Sequence, residues 1–316
     1  MGGRNDPALS LQEITEFMKI LVLGGTRFFG IHMVNDLIEK GHDVTIATRG
    51  LTPDDFGDSV TRMRFERTDE DSIKAVIADT HYDVIIDKLG YCSNDIRKIM
   101  EAAVCDKYIY MSTTAVYDPK HLNTVEEDFN GADGDLIWCD RQDYPYDVIK
   151  RHAEYALWQK YPDKNWIAVR YPFVIGKDDY TKRLYFYVEH VLKQLPMKID
   201  NLDSQMSFIR SDEAGKFMSF LVDKDFKGAV NGSSKGTVSI RDILNYLENA
   251  TGMSAVISDD GDPAPYNGEP EYSINTDKAE SLGYNFTNLN DWLYDLLDFY
   301  IDVAHEGMLG LYGSLD

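Results

Sequence analysis

Tyr146 and Lys150 stand four residues apart in Tyr146-Asp147-Val148-Ile149-Lys150, a spacing that puts both on one face of a helix. A free phenol has a pKa of about 10 and is a poor base near neutrality. Bringing it to about 7 takes roughly 4 kcal/mol of preferential stabilisation of the phenolate, to which a neighbouring ammonium contributes. Such a tyrosine can take a proton from a hydroxyl or return one to a carbonyl oxygen. A hydroxyl that polarises the same oxygen is offered by Thr113 in Ser112-Thr113-Thr114-Ala115-Val116-Tyr117. With 20 tyrosines in the chain, the alternative is a buried hydrogen-bonded tyrosine beside a surface lysine.

A second stretch supplies a partner for that chemistry. Lys19-Ile20-Leu21-Val22-Leu23 runs into Gly24-Gly25-Thr26-Arg27-Phe28-Phe29-Gly30 and then into a helical pattern. Strand, glycine turn and helix start form an anion site that suits the pyrophosphate of a dinucleotide. Gly24 can make the tight turn and Gly30 can let helix and strand approach, while Arg27 stands where the middle glycine of the fingerprint belongs. An ordinary strand-to-helix turn would read the same way. With a nicotinamide dinucleotide in place, proton transfer at Tyr146 pairs with hydride transfer, and Lys150 can hold the nicotinamide ribose.

At the end of the second strand, where an NAD enzyme carries an acid for the ribose 2′-hydroxyl, this chain has Thr48-Arg49-Gly50. A guanidinium there suits a 2′-phosphate, and Arg27 can close on it from the other side. The expected cofactor is therefore NADP rather than NAD. The alternative makes Arg49 a solvated loop residue and lets Arg27 cover the adenine.

The elements that would position these groups alternate along the chain. Strands are expected at Ile20–Leu23, Val44–Thr48, Arg62–Phe65, Tyr82–Asp87, Tyr108–Ser112 and Trp166–Arg170. Helices are expected at Ile31–Lys40, Asp71–Ala78, Asn94–Ala103 and Asp147–Lys160. This predicts an α/β fold, a Rossmann-type doubly wound parallel sheet with helices on both faces, joined by a smaller carboxyl-terminal α/β substrate lobe. Residues 118–144 lose the pattern and read either as a functional or mobile loop or as a solvated acidic insertion. Residues 1–17 read as an extension or tag, 18–171 as the dinucleotide-binding domain, and 172–316 mostly as the substrate lobe, with segments around 205–231 returning to the first domain. Helices Leu184–Leu195, Asp212–Val222, Ile240–Thr251 and Leu289–Tyr300 belong to this later part.

The chain has 316 residues, 54 acidic against 32 basic, for a net charge of −22. That charge disfavours nucleic acid and anionic membrane partners, and no apolar run is long enough to span a bilayer. Cys92, Cys105 and Cys139 are few and scattered, as expected in a reducing cytoplasm. A small-molecule substrate is expected, no metal site is indicated, and a homodimer is left open.

The four segments Gly24–Gly30, Ser112–Tyr117, Tyr146–Lys150 and Arg170-Tyr171-Pro172-Phe173-Val174-Ile175-Gly176 together resemble the extended, or atypical, short-chain dehydrogenase/reductase superfamily in its NAD-dependent epimerase/dehydratase branch. The resemblance runs from about Met18 to near the carboxyl terminus. It implies Thr113, Tyr146 and Lys150 as the catalytic set. It implies cofactor contacts from Gly24, Thr26, Arg27, Phe28, Phe29, Gly30, Thr48, Arg49, Leu89, Lys150 and Tyr171, with Glu66 on the adenine. Relatives of this kind act on nucleotide sugars or related phosphorylated compounds, and Arg183 and Arg210 are the cations expected near such a phosphate. Asp87-Lys88-Leu89-Gly90-Tyr91 departs from the small-residue motif usual after the fourth strand, and Asp118 replaces a common glycine. The implied activity is that of an NAD(P)-dependent oxidoreductase or epimerase. The alternative is a catalytically weak NADP-binding regulator or scaffold.

Overall fold

The apolar run Lys19–Leu23 (β1) is buried on both faces because helices cover both sides of the sheet it centres. In the computed structural model, which describes residues 16–305 and Gly307, β1 is followed by α1 (Phe29–Glu39), β2 (Asp43–Thr48), β3 (Val60–Arg64), α2 (Glu70–Ile77), β4 (His81–Asp87), α3 (Ser93–Ala102) and β5 (Val104–Thr113). Then come α4 (Tyr146–Lys160), β6 (Trp166–Tyr171), β7 (Phe173–Ile175), α5 (Arg183–Lys193), β8 (Pro196–Lys198), β9 (Phe208–Arg210), α6 (Ser211–Phe220) and β10 (Gly228–Asn231). The chain continues through α7 (Ile240–Thr251), β11 (Val256–Ile257), β12 (Asp262–Pro263), α8 (Asp277–Ser281) and α9 (Leu293–His305). Almost all of the amino-terminal extension, residues 1–15, lies outside the described residues.

Seven strands form one sheet in the order β10-β6-β5-β4-β1-β2-β3, and every pair is parallel. This is the doubly wound α/β fold expected. Side chains alternate across each strand, so Ile20 and Val22 pack with Met33 and Leu37 of α1 and Phe217 of α6. Leu21 and Leu23 pack with the layer of α2, α3 and α4, which supplies Ile73, Ile96 and Ala156. Helices α1 and α6 meet closely at Gly215, where a Cβ would come within 2.5 Å of the Phe29 carbonyl oxygen.

Beyond β6 the pattern changes. β7 pairs with β9, and β8 lies between β11 and β12. These short strands frame a separate apolar cluster built on α5, α7 and α9, with Leu184, Val188, Ile243, Leu297 and Tyr300 among its members. Strand β10 instead pairs with β6 at the outer edge of the large sheet. Strands of two or three residues are too short to show alternation, which is why the sequence pattern does not reveal β7, β8, β11 and β12. Helix α9 begins at Leu293, after a short 3₁₀ turn at Leu289–Asp291. Among the described residues no helix is long and apolar enough to cross a membrane.

Candidate active site

Parallel strands present their carboxyl ends on one edge, and there a cleft of about 720 Å³ opens, within the size range of small-molecule sites. Its first wall is the turn after β1. Gly24 and Gly25 both have φ +103°, a region side-chain-bearing residues rarely adopt. Gly30 does not line the cleft; a Cβ there would lie 3.0 Å from the Gly25 Cα, so this glycine lets α1 seat against the turn. Thr26, Arg27, Phe28 and Phe29 line the cleft at the start of α1, where the first backbone N–H groups have no intrahelical acceptor. Phe28 sits at φ 55° and ψ −142°, an uncommon conformation for an aromatic residue.

The β2–β3 end of the cleft carries Thr48, Arg49 and Glu66. The Arg27 side chain turns toward this end, its Nε donating to Thr52 Oγ1 at 2.7 Å. Glu66 accepts from the Thr68 backbone N–H at 3.2 Å and the Thr68 hydroxyl at 3.0 Å. Those bonds, with help from the charges of Arg49 and Arg141, hold its pKa below the ordinary carboxylate value. The arginines thus share their end of the cleft with an ionised carboxylate.

The β5–β6 end carries Thr113, Tyr146, Tyr171 and Arg183. Thr113 ends β5 and Tyr146 opens α4, so both side chains come to the same end of the cleft. Tyr146 keeps 47% of its surface open, with Tyr91 edge-on to its ring at 6.2 Å. Desolvation pushes the Tyr146 phenol up to about 12, against the lowering pull of the Thr113 hydroxyl and the Arg183 charge. The expected depression toward 7 is therefore not produced by the chain alone: its own groups hold the proton on.

The reason is the position of Lys150. It shares the α4 face with Tyr146, but it is fully buried and does not line the cleft. Its ammonium donates to the carbonyls of Met111 at 2.7 Å and Gly90 at 3.0 Å, 4.5 Å from the centre of the Tyr110 ring. Burial pulls its pKa down to about 7, although Asp87, Glu154 and Asp95 act in the other direction. A lysine so placed carries only part of its charge near neutrality. Arg210 requires a correction: it does not line the cleft. Asp212 holds its guanidinium, which lies 5.9 Å from the Trp292 ring.

Several lining residues were invisible to spacing. Lys88 and Arg67 lie in the cleft wall, as do Lys120 and Glu269, which form an ion pair with Lys120 over the Tyr272 ring. Arg141 donates to Asp95 at 3.0 Å and to the Leu89 carbonyl at 2.7 Å. Asp87-Lys88, flagged as a departure from a small-residue motif, was the one available signal. Residues 118–144 contain one short 3₁₀ turn, Glu126–Asp128, and the segment is fastened to the rest of the fold at several points. There Gln159 Nε2 donates to the carbonyls of Gly131 at 2.9 Å and Gly134 at 2.7 Å, and Glu126 is buried, accepting from the Asn231 N–H at 2.8 Å. Lys120 and Arg141 of this segment reach the cleft wall, while most of residues 132–146 are exposed.

Three potential metal ligands, His81, Asp83 and Asp106, gather elsewhere, at the amino ends of β4 and β5. His81 pairs with Asp106 at 3.0 Å and Asp83 accepts from the Lys19 N–H at 2.6 Å, so each already has a protein partner.

Residues 20–99 match the model of the NAD dependent epimerase/dehydratase family. The fold is shared with UDP-glucuronic acid 4-epimerase from Bacillus cereus, solved in complex with UDP-glucuronic acid and NAD; the TM-score is 0.70 at 20% identity, covering 92% of this chain and 99% of that one. Among characterised sequences, the chain is 26% identical over 208 residues to chloroplast stem-loop binding protein of 41 kDa b from Arabidopsis thaliana, a match covering 60% of this chain and 50% of the plant protein. It is 28% identical over 111 residues to 2′-dehydrokanamycin reductase from Streptomyces kanamyceticus, covering 35% of this chain and 32% of the reductase. The chain thus spans half or less of the length of these relatives.

Proposed function

We propose that this chain, whose residues 20–99 match the NAD dependent epimerase/dehydratase family, binds a nicotinamide dinucleotide along the cleft and uses it for oxidoreduction or epimerisation of a small hydroxyl or carbonyl compound. A nucleotide sugar is the substrate class favoured by the complex of the Bacillus cereus neighbour, and the reductase relative supports redox chemistry. The observation that carries the reading is that Thr113 and Tyr146 line one cleft together with the glycine turn at the start of α1.

The residues fit such a cofactor. The turn and helix start offer backbone N–H groups to a diphosphate. Arg27 and Arg49 line the β2–β3 end of the cleft and would suit a ribose 2′-phosphate, which supports reading the cofactor as NADP rather than NAD; Glu66 would then contact the adenine. Leu89 and Tyr171 close the cleft walls. A nicotinamide bound at the β5–β6 end would accept or donate hydride. Thr113 would orient the substrate oxygen, and Tyr146 would move its proton. With the phenol held neutral by burial, Tyr146 is poised as an acid toward a carbonyl oxygen. Lys150 would act from beneath, through its charge and through the two backbone carbonyls it fastens. Arg183, facing Tyr146, would hold an anionic part of the substrate. Residues 18–171 would carry the cofactor and 172–316 the substrate, with β10 serving the first.

The test is a panel of nucleotide sugars and simple carbonyls with NADPH and NADH. Tyr146→Phe should lower turnover about 10²–10⁴-fold while cofactor titrations stay unchanged; full activity in this variant sinks the assignment. The second reading, a weakly catalytic dinucleotide-binding regulator, draws on the withdrawn position of Lys150. It predicts cofactor binding with no turnover anywhere in the panel. A stem-loop-binding role, suggested by the name of the plant relative, is opposed by the net charge of −22.

A further inference from the structure

We propose that Lys88 is a phosphate-binding residue of this cleft, with its ammonium receiving the diphosphate of a bound dinucleotide against the glycine turn. The proposal rests on the reading of the cleft as a dinucleotide site. Lys88 is the first residue after β4 and lies in the cleft wall. The segment Asp87-Lys88-Leu89-Gly90-Tyr91 departs from the small-residue motif that the resemblance implies, and Lys88 is its long cation.

Its side chain is held by the turn itself. Nζ donates to the Arg27 carbonyl at 3.1 Å and stands 4.4 Å from the centre of the Phe29 ring. One of three N–H donors is thereby engaged, and the ammonium is fixed beside the backbone that opens α1. The Arg27 guanidinium has meanwhile turned away to Thr52. The arginine that displaced the middle glycine thus serves the β2–β3 end, and Lys88 is the cation anchored to the turn.

The charges facing Lys88 come from two other segments. Asp178, beyond β7, favours the ammonium and Arg27 opposes it. Asp178 is itself fixed by His32 of α1 at 3.0 Å and by the hydroxyl of Ser211 in α6 at 2.5 Å. Burial is the largest influence, and it lowers the Lys88 pKa to about 8. The group is therefore charged at neutral pH, and a diphosphate bound against it would keep the proton on. Affinity for the ligand must then fall as pH rises beyond 8, because the free protein loses the charge first.

The experiment titrates wild type and Lys88→Met with NADPH, NADH and ADP-ribose, following dinucleotide fluorescence and calorimetry, with a melting curve for each protein. ADP-ribose carries the diphosphate without the nicotinamide, so the readout is independent of turnover. Lys88→Met should weaken all three ligands at pH 7 by about tenfold or more, the range for a lost charge-assisted hydrogen bond. It should also remove the loss of affinity seen in wild type between pH 7 and 9.5. Lys88→Arg, which keeps a cation, should recover part of the affinity if the charge is what matters. Wild-type binding that survives Lys88→Met within twofold overturns this inference alone. A wild-type protein that binds no dinucleotide overturns the reading of the cleft and this inference with it.

Discussion

Arg67 and Asp87 face each other beneath the cleft through two parallel hydrogen bonds, Nη1 to Oδ1 at 2.8 Å and Nη2 to Oδ2 at 2.6 Å. Both side chains are buried. Asp87 also accepts from the Tyr108 hydroxyl at 2.6 Å and the Leu89 N–H at 2.9 Å, so one carboxylate ties the end of β4 to β5 and to the segment after β3. Arg67 donates further to the Asp95 carbonyl at 3.0 Å. A buried pair is worth most when its remaining hydrogen-bonding groups are also satisfied.

Removing one partner leaves a charge stranded in the core. Arg67→Met should lower unfolding stability by about 3–5 kcal/mol, read from urea denaturation of the purified protein. A loss below about 1 kcal/mol would mean that water reaches Asp87 when the arginine is gone.

Lys150 gives stability a pH dependence of defined sign. Its folded pKa is about 7, below the value of about 10.4 for an unfolded chain. Between those values the unfolded chain binds more protons, so this group's contribution rises with pH from 7 toward 10 and its penalty is full below 7. Denaturation midpoints of wild type relative to Lys150→Met should rise between pH 6.5 and 9.5. A flat difference across that window would show that Lys150 is charged throughout.

Cofactor choice should reside in the arginines of the β2–β3 end. Arg49→Ser should weaken NADP binding about tenfold or more while changing NAD binding little, since only NADP offers a 2′-phosphate for a charge-assisted bond. Fluorescence titration with the two reduced dinucleotides measures it. Equal losses for both would place Arg49 elsewhere in recognition.

The loop before α4 should be sensitive at its glycines. A Cβ on Gly134 would lie 2.1 Å from Tyr155 Cζ, a contact that must displace either the ring or the loop. Gly134→Ala should cost about 1–3 kcal/mol of stability, as overpacking does, and should speed proteolytic cleavage within 130–144. Unchanged melting and cleavage would show that the loop is not seated on α4 in solution.

Periodicity and spacing alone determined the alternation of strands and helices, the glycine turn, and the pairing of Tyr146 with Lys150 on one helix face, because these depend on neighbours a few residues apart. Thr113, Tyr146, Arg27, Arg49 and Glu66 all reach the cleft for the same reason: each sits at the carboxyl end of a strand or the first turn of a helix, and a parallel sheet collects those ends. Tertiary structure alone decided where long side chains finally point. Lys150 turns beneath the floor because two backbone carbonyls await it there; Arg210 is taken by Asp212; Arg67 finds Asp87 across 20 residues of sequence. Lys120 and Glu269 enter the wall from segments that carry no motif. The upward shift of the Tyr146 phenol likewise comes from desolvation within the assembled cleft, which no spacing encodes.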